Sequence, residues 1–104
     1  TPAVADIAVQ GVGTQTCAEF ARDYANDPET WEKIYFTWGQ GFMSGLNIAS
    51  IRANGESRDI DGAEIATQEG AVRAYCDAHP LQSYFQAIYV LYTALKLNKP
   101  VRPN

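Results

Sequence analysis

Asp27-Pro28-Glu29-Thr30-Trp31-Glu32-Lys33-Ile34-Tyr35-Phe36-Thr37-Trp38-Gly39-Gln40-Gly41-Phe42-Met43-Ser44-Gly45-Leu46-Asn47-Ile48-Ala49-Ser50-Ile51-Arg52 is the longest periodic stretch of the chain. Asp27 is a good N-cap, Pro28 suits the first helical position and Glu29 suits the positive end of the helix dipole. Trp31, Ile34, Tyr35, Trp38, Phe42, Leu46 and Ala49 then fall on one stripe, which predicts a long amphipathic helix over 28–52. Gly39, Gly41 and Gly45 interrupt the stripe. Each glycine costs up to about 1 kcal/mol in a helix interior. Either something packs very close to this backbone or the helix kinks near 39–41.

Helical signals continue on both sides. Upstream, Thr16-Cys17-Ala18-Glu19 fits a capping box, in which Thr16 and Glu19 each satisfy the other's backbone N–H. A short helix to about 25 would bury Cys17, Phe20, Ala21 and Tyr24. Downstream, residues 54–57 read as a loop. Asp61-Gly62-Ala63-Glu64 is a candidate start with Asp61 as N-cap, and Thr67 competes with it; the helix would run to 78 and carry Ile65, Val72, Tyr75 and Cys76. Pro80 then opens a last helix to 98, with Leu81, Tyr84, Phe85, Ile88, Leu91, Tyr92 and Leu95 at helical spacing. Residues 1–15, with Gly11 and Gly13, read as a loose arm. Residues 99–104 form a tail whose two prolines cannot continue a helix. No alternating run is long enough for a sheet. The fold class is all-α, a single helical domain over 16–98.

Composition narrows the functions. The 104 residues suit one domain, and 46% hydrophobic residues can build its core. The net charge is −4 and no stretch clusters Lys or Arg, which argues against nucleic acid and anionic membrane surfaces. No apolar run reaches the roughly 18 residues that a membrane span needs, so no membrane insertion is expected. The opening Thr1-Pro2-Ala3-Val4-Ala5 reads as the start of an exported chain whose signal peptide has been removed, or as a trimmed recombinant chain.

Cys17 and Cys76 are too far apart for a CxxC redox motif, and with a single His they make a poor zinc set. Two options remain, a disulfide or two buried thiols. An oxidising compartment would favour the disulfide. Closing a loop of about 60 residues would contribute roughly 4 kcal/mol, and reduction should then greatly destabilise the fold.

Catalytic and metal readings are thin, and neither a cofactor nor a metal is expected. His79 precedes Pro80, where capping a helix is the commoner role. Ser44 within Gly41-Phe42-Met43-Ser44-Gly45 is not a nucleophile elbow, which needs glycine two before and two after the serine. Ser57, Asp59, Asp61 and Gly62 fit the first half of a calcium loop, but Gln68 stands where the bidentate Glu belongs. The aromatic set is more informative. Two Trp, six Tyr and four Phe exceed what four short helices easily bury. Trp31, Tyr35 and Trp38 on one helix, with Tyr84, Tyr89 and Tyr92 on another, are therefore candidate interface residues for self-association or a protein partner. Tyr89 departs from the Leu81–Ile88–Leu95 stripe and is the clearest candidate for exposure.

Thr16-Cys17-Ala18-Glu19-Phe20 resembles the Trp-Thr-Cys-Glu-Asp-Phe opening of the HdeA/HdeB periplasmic acid-stress chaperones. Further elements follow in the same order: Gly41-Phe42, the Asp-Ile-Asp-Gly turn from Asp59 to Gly62, the Val72/Cys76 pair, then Pro80 and Phe85. The resemblance covers residues 16–85. It implies a compact HdeA-like four- or five-helix orthogonal bundle with one disulfide, Cys17 to Cys76. It also implies a periplasmic homodimer at neutral pH that acid loosens, exposing apolar surface that holds unfolded clients. This chain departs from those chaperones in a longer, glycine-bearing second helix, a more aromatic last helix, and ends that are not lysine-rich.

A second resemblance is carried by Val72, Tyr75, His79-Pro80, Ala87, Leu91 and Ala94-Leu95. These are similar to the C-terminal half of the Tai-type immunity proteins, periplasmic helical inhibitors of a secreted cell-wall amidase. That reading implies a rigid protruding loop, for which residues 54–58 are the candidate.

Overall fold

The capping box at Thr16 forms as the sequence requires. Thr16 Oγ1 accepts from Glu19 N at 3.0 Å, and Glu19 Oε1 accepts from Thr16 N at 3.1 Å. In the computed structural model, which describes residues 8–99, this box starts α1 (Cys17–Asn26). Asp27 then caps α2 (Pro28–Asn54), with Pro28 in the first turn. α3 spans Ile65–Ala78 and α4 spans Tyr84–Ala94. The fold is all-α, with four helices and no strand among the described residues.

α2 is unbroken through all three glycines. At about 1.5 Å per residue its 27 residues extend roughly 40 Å. Gly39 is the position that needs to be glycine: a Cβ there would overlap the Ile88 side chain of α4. Gly41 and Gly45 face open space. Gly55 ends the helix in the left-handed region, at φ 76°, and its N–H returns to Ile51 O. The buried face of α2 is Tyr35, Phe36, Gly39 and Met43, while Ile34 and Ala49 are exposed. It is thus rotated from the stripe drawn through the largest apolar residues, because the close approach of α4 at Gly39 decides which side turns inward.

The last two helix starts differ from expectation. Neither Asp61 nor Thr67 caps α3; Glu64 occupies the N-cap without a side-chain bond. The preceding turn is held instead by buried Gln68, whose Nε2 donates to Ile60 O and Ala63 O. Pro80 does not open α4, because its turn serves α1: Cys17 N donates to Gln82 O at 2.7 Å and Ala18 N to Pro80 O at 2.9 Å. These carbonyls satisfy N–H groups that a helix start otherwise leaves unpaired. Ser83 caps α4, and Leu81 is 91% exposed. α4 ends before 98 because Arg58 Nη1 takes the carbonyls of Thr93 and Leu95, and Lys96 O accepts from Asp59 N.

Residues 8–15, expected as part of a loose arm, pack on the domain. A 3-10 turn, Val12–Thr14, lies over Trp38, whose indole N–H donates to Gln10 O at 3.0 Å. A Cβ on Gly13 would overlap that ring. The rest of the arm, 1–7, and the tail beyond 99 lie outside the described residues.

Phe20 of α1, Tyr35 of α2 and Tyr84 of α4 form the centre of the core, with ring centroids 4.8–5.0 Å apart. Beside them Cys17 and Cys76 are joined in a disulfide, with their Cα atoms 4.8 Å apart. The bridge fastens the start of α1 to the end of α3, where the turn before α4 also passes.

Candidate functional site

α3 packs on α1 and α4 rather than on α2. A groove of about 590 Å³ is left, walled by Glu32, Phe36 and Gln40 of α2 against Ile65, Glu69 and Arg73 of α3. It continues past Gln40 and Ile65 into a smaller hollow of about 290 Å³ reaching Ser44 and Asp61. The walls follow helical spacing: Pro28, Glu32, Phe36, Gln40 and Ser44 are four apart on one row of α2, as are Ile65, Glu69 and Arg73 on α3.

The one ion pair among the described residues crosses this groove, from Arg73 Nη1 to Glu32 Oε1. Glu32 is only 12% exposed. Burial, and then neighbouring Glu69, push its carboxyl above the ordinary value, and Arg73 offsets part of this. The Arg73 guanidinium also lies 5.2 Å from the Tyr24 ring centroid, a cation–π contact. Beneath the cluster sits Tyr84, fully buried, its hydroxyl without a hydrogen-bond partner. Burial, with the charges of Glu32 and Glu69, pushes that phenol well above its usual range. An apolar floor with a charged rim is the chemistry of a surface that holds a peptide segment or helix.

The six aromatic candidates separate into two groups. Tyr35, Tyr84 and Tyr92 are core residues, which corrects their placement on an interface of the folded domain. Tyrosine is amphipathic, so its ring fills the core while its hydroxyl finds a partner: Tyr35 donates to Asp23 at 2.8 Å and Tyr92 to Asn47 at 2.6 Å. Trp31 and Trp38 are half-buried. Tyr89 is 46% exposed. His79 ends α3, its ring stacked on Tyr75 and its Nδ1 3.0 Å from Tyr75 O. Among the described residues no three His, Cys, Asp or Glu side chains gather to hold a metal ion. No helix there is long and apolar enough to cross a membrane.

The sequence reading missed the groove and the Asn47 contacts. Glu32 and Arg73 are 41 positions apart, and nothing local joins them. The loop over 54–58 is exposed along 54–56 and tightly held at its base. Arg58 exchanges two hydrogen bonds with Asn47, Asn54 Oδ1 accepts from Glu56 N, and Asn98 reaches Ser57 through both backbone and side chain.

Compared with protein-family models, curated proteins and solved structures, the chain matches none of them.

Proposed function

We propose that this chain is an exported helical binding protein of the HdeA/HdeB kind, a periplasmic homodimer that holds unfolded clients under acid stress. The observation that carries this reading is the way carboxylates fasten α1 and the start of α2. Glu19 accepts from the Thr16 N–H and hydroxyl, Asp23 from the Tyr35 hydroxyl, and Asp27 caps α2 through Thr30 N. Protonation in strong acid removes the charge from each of these acceptors and weakens their bonds. The whole chain meanwhile passes from −4 to +9 on its side chains, from eight Lys and Arg and one His. Self-repulsion of that size favours an open state. α1, with ten residues, is too short to persist alone. The disulfide keeps it tethered while Phe20, Tyr35 and Tyr84 become accessible to clients, and the α2–α3 groove offers a second apolar surface. A disulfide also suits an oxidising compartment such as the periplasm.

The test is client aggregation. An acid-labile enzyme is brought to about pH 2 and returned to neutral, with and without the protein, while light scattering is recorded. Suppression is the expected result. Unchanged scattering, with the protein shown to unfold reversibly, would remove the chaperone role.

The pinned loop over 54–58 favours a second reading, an immunity-type inhibitor that presents a rigid loop to a secreted cell-wall amidase. Inhibition of such an amidase, lost on substitution of Glu56, would select it.

A further inference from the structure

The outer face of α2 is uncharged for most of its length. Ile34, Gly41 and Ile48 stand seven residues apart, Thr37 and Ser44 fall between them, and Thr30 and Ile51 extend the row at its two ends. All seven are exposed, with Ile34, Ile48 and Ile51 at 42%, 58% and 54%. Spacings of four and three put them on one seam, about 32 Å long at 1.5 Å per residue. Its middle is small: Thr37, Gly41 and Ser44, with a Cβ on Gly41 meeting nothing within 4 Å.

We infer that this seam receives a second copy of the chain, with the two α2 helices antiparallel and crossing at Gly41. Ile34 and Ile48 stand at equal distances on either side of Gly41, as a two-fold axis through Gly41 requires of residues that face each other on a self-complementary surface. In that register Ile34 faces Ile48 of the second copy, twice. The small middle lets the backbones approach, with Thr37 opposite Gly45 of the second copy and Trp38 on the flank opposite its Ser44. Beside Ile34, a hollow of about 470 Å³ is lined by Glu29, Thr30, Lys33, Ile34 and Thr37. The projecting Ile48 and Arg52 of the second copy fill it. Charge agrees with this direction, because Arg52 at one end of the seam arrives within a long side chain's reach of Glu29 at the other. A parallel pair would instead bring each charge against its own copy. One helix pair is a small interface, so the dimer is expected to dissociate on dilution.

This inference rests on the self-association in the proposed function and is independent of chaperone activity. Sedimentation equilibrium over a concentration series is expected to show twice the 11.4 kDa chain mass at the upper end. Ile34→Lys and Ile48→Glu, each alone, should weaken association by at least on the order of tenfold. Combined in one chain they should restore it, because each introduced lysine then faces an introduced glutamate. Gly41→Cys should cross-link copies under mild oxidation. Far-UV circular dichroism confirms folding of each variant, since all three positions are exposed. A monomer at every concentration would overturn both the seam and the self-association. A dimer indifferent to Ile34→Lys and Ile48→Glu would overturn the seam alone. Failure of the combined variant to recover would overturn the antiparallel register.

Discussion

Asn47 treats Arg58 as one β-strand treats another. Its Nδ2 donates to Arg58 O at 2.9 Å and its Oδ1 accepts from Arg58 N at 2.8 Å, while the same Oδ1 also accepts from the Tyr92 hydroxyl. One amide on α2 thereby fixes the loop that leads to α3, and through Tyr92 and the Arg58 guanidinium it fixes the end of α4.

Asn47→Ala is therefore expected to destabilise the domain by about 2–3 kcal/mol, since it strands three partly buried groups, the Arg58 N–H and carbonyl in the loop and the Tyr92 hydroxyl on α4. Denaturant unfolding checks the magnitude. Hydrogen exchange should show the loss concentrated in residues 55–64 and at the C-terminal turn of α4. A uniform change, or none, would contradict the role given to Asn47.

Two core tyrosines should respond to the same substitution with opposite sign. Tyr84 has a buried hydroxyl without a partner, so Tyr84→Phe removes a desolvation penalty and should stabilise by about 1 kcal/mol. Tyr35 donates to Asp23, so Tyr35→Phe should destabilise by about 1–2 kcal/mol. Thermal melts at neutral pH compare the pair directly.

Glu32 makes the groove respond to mild acid in a definite direction. Its carboxyl titrates above the ordinary value of 4.5 in the folded chain. The folded state thus binds the proton more tightly than the unfolded one. The corresponding stability is fully present below about pH 4.5 and is lost as pH rises through the folded value. Lowering the pH from neutral toward 4.5 should steady this corner, and Glu32→Gln should flatten that dependence. Melting temperatures of both proteins across pH 4.5–7.5 give the comparison, and identical slopes would refute the assignment. Acid opening must consequently arise at lower pH, from the remaining carboxylates and the reversal of net charge.

Reduction of the Cys17–Cys76 bridge, which closes 59 residues, is expected to destabilise by up to about 4 kcal/mol. That approaches the whole stability of a small domain, about 5 kcal/mol. A Cys17→Ala/Cys76→Ala variant should melt far below the parent, and an unchanged melting temperature would refute this.

The features legible in the chain were local. Thr16 and Asp27 announce their helices because a cap needs only residues within one turn, and the apolar periodicity of 28–52 carries the long helix through its glycines. The all-α class follows from such signals. Which face of α2 turns inward was not legible, because Gly39 matters only once Ile88 of α4 lies against it. Pro80 reads as a helix start in isolation, but α1 claims the carbonyls of its turn. Tyr35 and Tyr84 read as surplus surface until Phe20 arrives from α1 to complete their cluster. The disulfide stood beside an alternative of two thiols until folding brought Cys17 and Cys76 together. By itself, then, the sequence determined the class of fold and the places where two of its helices begin, since those depend on neighbours one turn away. The tertiary structure alone decided the groove, the Asn47 junction and the outward seam of α2, since each depends on residues that only the folded chain brings together or leaves uncovered.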